Sequence, residues 1–98
     1  MRSYLEVTYR KGKPLAAYWY LPRKPGDFSA RTMPSGSGLN IDFAEDGRPI
    51  GVEVSAPGRI TLELFNQVLE RVQQPPATAD DLAPLLTSRH RVTSSAGG

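Results

Sequence analysis

The chain has no cysteine, one histidine, one tryptophan and no long apolar run. Without cysteine there is no disulfide framework, no thiolate nucleophile and no cysteine-based zinc site, which excludes the usual secreted mini-protein designs. No apolar stretch approaches the roughly 18 to 20 residues that a membrane-spanning helix needs. The opening MRSYLEVTYRKGK carries no apolar core of a secretion signal, so a cytoplasmic protein is expected. Charge of one sign is also scarce overall, with 12 basic and 10 acidic side chains giving a formal charge of +2.

What is present is 98 residues, 39% of them hydrophobic. That length fits a single domain. A chain this short buries only about 60 to 65% of its unfolded surface, so a second copy or a protein partner would add useful stability. The charge is unevenly placed. Residues 1–37 hold seven basic side chains against Glu6 and Asp27, whereas residues 38–58 hold Arg48 against Asp42, Glu45, Asp46 and Glu53. Such asymmetry marks either a nucleic-acid or partner surface, or neighbouring strands that pair opposite charges.

Period-2 alternation dominates the first half. In Tyr4–Arg10, Leu5, Val7 and Tyr9 share one face and Glu6, Thr8 and Arg10 the other. Lys11-Gly12-Lys13-Pro14 reads as a tight turn leading into an aromatic strand. There Leu15, Ala17, Trp19 and Leu21 fall on one side and Tyr18 and Tyr20 on the other. Pro22 to Asp27 is a loop by composition, a short strand around Phe28 to Met33 follows, and Pro34 to Gly38 reads as a flexible loop. Leu39–Phe43 and Ile50–Val54 alternate on either side of the Asp46-Gly47 pair, which is a β-hairpin signature. This pattern puts Leu39, Ile41 and Phe43 on the face of Ile50, Val52 and Val54, and turns Asn40, Asp42 and Glu53 outward. Asp46 and Gly47 are then turn residues. Gly51 leaves a gap on the polar face, the mark of a bulge or of a close approach by another backbone.

After Pro57-Gly58, Leu62, Phe65, Val68, Leu69 and Val72 recur at spacings of three and four, predicting an amphipathic helix over 61–73 with Thr61 as its N-cap. Pro75-Pro76 stops it. Thr78 opens a second short helix over 79–86, whose Leu82, Leu85 and Leu86 form an apolar clasp, and residues 87–98, including His90, are expected to be a disordered tail. The fold class expected is therefore α+β: one domain over 1–86, with an antiparallel β-meander of four to five strands over 3–55, one helix on one face and a short C-terminal helical turn.

The run Gly38 to Val54 resembles the small bacterial family named domain of unknown function 2283. Asp42, Asp46, Gly47, Arg48, Gly51 and Glu53 match its pattern position by position, and Ala17 to Leu21 is similar to its tyrosine-bearing strand. The resemblance covers roughly residues 3 to 57. Members usually carry an acidic turn before the tyrosine strand, where this chain has Tyr9-Arg10-Lys11-Gly12-Lys13-Pro14. The resemblance implies a fold and no established activity. Some members look like neighbours of toxin genes, which implies an antitoxin-like role.

No residue pattern demands catalysis. Asp42, Glu45, Asp46 and Glu53 lack the spacing of a calcium loop, so no metal or other cofactor is expected. Asp46 is accounted for by turn chemistry, and Glu53 by a cross-strand cation such as Arg48 or a basic residue of the first strand. Asp42 and Glu53 are the one pair placed as acid and base, and an outward pair on a sheet is normally solvated. Tyr18 and Tyr20 beside Arg10, Lys13, Arg23 and Lys24 bring aromatics near cations, as a partner surface or a platform for single-stranded nucleic acid requires. The first expectation is a non-enzymatic module that forms a homodimer or binds a small protein partner through an exposed strand edge or helix face. The alternative is weak nucleic-acid binding by the basic and aromatic N-terminal strands, with a small metal-dependent enzyme behind both.

Overall fold

The computed structural model describes residues 2–86. The tail expected at 87–98 lies outside the described residues. Five strands, β1 (Tyr4–Arg10), β2 (Lys13–Tyr20), β3 (Arg31–Pro34), β4 (Leu39–Phe43) and β5 (Pro49–Val54), form one antiparallel sheet. A 3₁₀ turn at Pro57–Arg59 leads to helix α1 (Leu62–Arg71), and a final helical turn occupies residues 83–86. This is the α+β architecture that the hydrophobic periodicities predict.

The strand order is β1-β2-β5-β4-β3. Two local units build it, the β1–β2 hairpin and the β3–β4–β5 meander, and β2 joins them by pairing antiparallel with β5. The β1–β2 turn is the two-residue kind whose twist matches its strands, with Lys11 and Gly12 both at positive φ, 53° and 78°. At the β4–β5 turn Gly47 takes φ 94° while Asp46 Oδ1 accepts a hydrogen bond from the Arg48 amide at 3.2 Å. Asp46 and Gly47 are thus the turn residues the sequence predicts.

One face of the sheet carries the core. Ala17, Trp19, Leu39, Ile41, Val52 and Val54 pack with Phe65, Val68 and Leu69 of α1, and the Trp19 and Phe65 rings meet edge to face with centroids 5.6 Å apart. Among the described residues the buried Trp19 indole N–H has no hydrogen-bond partner. Thr61 caps α1 by accepting the Leu64 amide at 3.1 Å, as its sequence position predicts. The clasp is closed by a reciprocal box, since Thr78 Oγ1 accepts the Asp81 amide at 3.1 Å and Asp81 Oδ2 accepts the Thr78 amide at 2.8 Å. It buries Leu82 and Leu85.

Three details depart from the periodic pattern. The third strand forms at Arg31–Pro34 rather than around Phe28–Met33, because Phe28 lies in the preceding loop and is exposed. Leu15 is exposed because a register shift between Thr8 and Tyr9 leaves it as the extra residue of β2. The third lies beside Gly51. Asp42 pairs with Gly51 and Phe43 with Pro49, so Ile50 is the extra residue of a bulge, and it is fully buried outside the main core cluster.

Candidate functional site

The face of the sheet opposite α1 carries the polar strand positions. Register places Tyr18 opposite Glu6 on β1 and Glu53 on β5, Tyr20 opposite Tyr4 and Gly51, and Asp42 opposite Gly51 and Thr32. At its centre the Tyr18 phenol lies over Gly51, where any Cβ would fall far inside van der Waals contact with the ring. Gly51 therefore makes room for a side chain rather than for another backbone. No other residue type leaves that space.

Asp42 is not turned out to water as the alternation predicts; it is only 3% exposed. The bulge at Ile50 and the Tyr18 ring bury it. Its Oδ2 accepts the Tyr18 hydroxyl at 2.8 Å and its Oδ1 accepts the Thr32 hydroxyl at 2.6 Å. Arg23 completes the relay: Nη2 donates to the Tyr18 oxygen at 3.0 Å and Nε to the Ile50 carbonyl at 3.3 Å. Burial pushes the Asp42 carboxyl up, but hydrogen bonds from Thr32, Glu53, Tyr18 and Ser29 outweigh it and hold it below its ordinary value.

Glu53 meets neither Arg48 nor a basic residue of β1. Its partner is Asp42, and the hydrogen bond to that carboxylate, with burial and the Asp42 charge, raises the Glu53 carboxyl above its ordinary 4.5. The pair divides its protons unequally, Asp42 ionised and Glu53 the better proton holder. Arg48 is engaged elsewhere. It binds Asp46 and Asp27, each at 2.8 Å, tying the β4–β5 turn to the loop after β2 and holding both carboxyls below their ordinary range. Tyr18 is moved upward by burial, by its hydrogen bond to Asp42 and by the Asp42 charge, away from the neutral range where a proton-transfer group works best.

The aromatic and basic residues singled out in the sequence divide into two groups. Tyr18, Tyr20 and Arg23 come together: the Arg23 guanidinium sits 5.0 Å from the Tyr20 ring centroid and 5.7 Å from that of Tyr18. Tyr4 stacks on Tyr20 at 4.6 Å with an interplanar angle of 13°, and the Tyr20 hydroxyl donates to Glu6 at 3.1 Å. Arg10 and Lys13 face each other at the far tip of the β1–β2 hairpin, seven positions along β2 from Tyr20, or roughly 23 Å. The Lys24 amide donates to Asp27 at 2.8 Å, which places Lys24 on the Arg48 side of the loop. Sequence reading missed Tyr4, Thr32 and Ser29 as members of this face. Strand register alone brings Tyr4 and Thr32 there.

Among the described residues, no group of three or more His, Cys, Asp or Glu side chains is arranged to hold a metal ion. Nor is any helix among them long and apolar enough to cross a membrane. A separate open groove runs between β3–β4 and the end of α1, lined by Met33, Pro34, Ile41, Phe43 and Val72 and rimmed by Arg71. Compared with family models, curated proteins and solved structures, the chain has no match.

Proposed function

We propose that this chain is a non-enzymatic protein-interaction module of the bacterial cytoplasm, one that self-associates or binds a small protein partner through its β1–β2 hairpin. The antitoxin-like role implied by the sequence resemblance belongs to the same reading. One observation carries it. β2 pairs with β5 only over Ala17–Tyr20, so Lys13–Ala16 and the β1 residues opposite them run past the end of β5 as an arm, while β2 also touches the 3₁₀ turn at Pro57–Arg59. On that arm Tyr9 and Leu15 are 55% and 51% exposed. Apolar side chains held out on an ordered hairpin are the usual anchors of a protein interface.

Nucleic-acid binding is the second reading, and the ring geometry favours it less. Tyr4 and Arg23 already contact the Tyr20 ring, and Tyr18 lies against Gly51, so neither ring is free to stack a base on both faces. Arg10 and Lys13 are too remote from them to share one short site. The enzyme reading is favoured less by this face: Tyr18 and Asp42 are shifted away from neutrality in opposite directions, and Glu53, which is shifted toward it, is taken up by its pairing with Asp42.

The test compares the wild-type chain with a Tyr9→Ser/Leu15→Ser variant whose fold is verified by circular dichroism. Light scattering on the purified chain and co-purification with the product of a neighbouring gene read assembly directly. Assembly of the wild type and its loss in the variant support the module. A wild type that stays monomeric and partnerless, or a variant that assembles equally well, overturns it.

A further inference from the structure

We infer that the partner of the arm is a second copy of this chain, the two β1 strands pairing antiparallel about a two-fold axis at Thr8 so that Glu6 of each faces Arg10 of the other. The inference rests on the interaction-module reading and names its partner and register. The sheet has two edges, and they differ. β3 is four residues long, ends in Pro34, and is followed by Ser35, whose side chain and carbonyl are held by Arg71. A short edge closed by proline is poorly suited to strand addition. β1 is seven residues long without proline, and the extra residue of its hairpin, Leu15, belongs to β2, so the outer edge of β1 keeps a regular ladder of backbone donors and acceptors.

An isologous contact requires a strand complementary to its own reverse. A two-fold axis normal to the sheet keeps each side chain on its face, so only registers centred on a residue are allowed. Centred on Thr8, Val7 lies opposite Tyr9 on the apolar face, and Glu6 lies opposite Arg10 on the polar face. Both pairs occur twice. Centred on Val7, Glu6 meets Thr8 and Arg10 meets Tyr4, and centred on Tyr9, Arg10 meets Thr8, so both charge pairs are lost. Among the described residues of one chain, Glu6 takes a hydrogen bond only on Oε1, from Tyr20, and Arg10 forms no ion pair. The Thr8 register supplies the cation and the carboxylate to each other, covers Tyr9, and joins two five-stranded sheets into one continuous sheet.

The chain has no cysteine, so single-cysteine variants of the full chain report the register cleanly. Residues directly opposite in an antiparallel pair have Cα atoms about 4.5 to 5.5 Å apart, within disulfide range. Thr8→Cys is expected to give a disulfide-linked dimer under mild oxidation, whereas Glu6→Cys, offset from its own copy by about 14 Å along the strand, is not. Glu6→Arg alone and Arg10→Glu alone are each expected to weaken the dimer at least about tenfold in sedimentation equilibrium, since two favourable pairs become two repulsive ones. Mixing these two variants restores a heterodimer, because every facing pair is again Arg opposite Glu. A wild type that is monomeric at high micromolar concentration, a dimer indifferent to both swaps, or failure of the mixture to recover overturns the inference. The interaction-module reading survives those results if Tyr9→Ser/Leu15→Ser still abolishes binding of a different protein, and falls with them if it does not.

Discussion

Replacing Gly51 with alanine tests the central packing claim of the polar face. The added methyl falls on the phenol end of the Tyr18 side chain, against its hydroxyl oxygen, so the side chain must move off Gly51. On leaving, its hydroxyl loses the 2.8 Å bond to Asp42 and the 3.0 Å bond from Arg23. A hydrogen bond to an ionised carboxylate is worth about 1.5 to 3 kcal/mol, and forcing an extra carbon into a filled space costs about 1 to 3 kcal/mol. Against this, alanine in a strand interior recovers about 0.5 to 1 kcal/mol relative to glycine. The expected net loss is about 2 to 5 kcal/mol, a large share of the stability of a small domain. Urea unfolding followed through the fluorescence of the buried Trp19 measures it, because that ring reports the opposite face and does not touch the mutation. The decisive comparison is made in a Tyr18→Ala background, where the clash is gone and Gly51→Ala should become neutral or slightly stabilising. If Gly51→Ala costs the same with and without the Tyr18 ring, the ring is not what glycine accommodates there, and the reasoning fails.

Three other substitutions probe the same framework. Glu53 has a raised carboxyl in the folded state, so the stability it contributes is full below its ordinary 4.5 and is lost as pH rises through the raised value. Glu53→Gln removes that loss, and unfolding titrations should find the variant more stable than wild type at pH 7, with the gap closing below about pH 4.5; a less stable variant at pH 7 contradicts the pairing with Asp42. Lys11 holds φ 53° without being glycine, and Lys11→Asn should raise stability by about 0.5 to 1 kcal/mol, read as an upward shift of the thermal midpoint. Asn66 binds both backbone groups of buried Ala77, donating to its carbonyl at 3.0 Å and accepting its amide at 2.8 Å. Asn66→Ala should cost about 2 to 4 kcal/mol and speed amide hydrogen exchange in the 77–86 clasp ahead of the sheet, whereas uniform exchange across the chain would argue against a local latch.

Legibility differed between the two faces of the sheet, and the difference has a physical origin. The core face follows from hydrophobic period alone: Ala17, Trp19, Ile41 and Val52 and the stripe of α1 are apolar at spacings that only one packing satisfies. The caps at Thr61 and Thr78 and the turn at Asp46-Gly47 are equally local, since each is a side chain bonding a backbone group two or three residues away. The polar face depends on contacts between residues distant in sequence. Asp42 reads as solvent-facing by alternation, yet β2 crosses to pair with β5 and brings the Tyr18 ring over Gly51 and onto Asp42, 24 residues away. Nothing in the spacing of β4 announces that. Glu53 was open to the same misreading, because a carboxylate on a strand invites a cation, and the available cation, Arg48, is drawn off by Asp27 and Asp46.

The burial of Asp42 in turn bears on how the module works. A carboxylate fastened by Tyr18 and Thr32, with Arg23 behind the tyrosine, links β2, β3, β4 and the loop after β2 through side chains alone. The polar half of the sheet is thereby stiffened at the end away from the hairpin tip. The arm has no such network: beyond Ala17, β2 no longer pairs with β5, although β2 also touches the Pro57–Arg59 turn, and among the described residues β1 has no strand on its outer side. An arm rooted in a rigid base presents its edge in one orientation, so that pairing it with a partner strand costs little further ordering. The same geometry predicts that Asp42→Asn, far from Thr8 along the sheet, weakens assembly by loosening the root of the arm. The weaker dimer, read by sedimentation equilibrium, should come with faster amide hydrogen exchange in the β1–β2 hairpin, and an Asp42→Asn dimer as tight as wild type with unchanged exchange refutes the link.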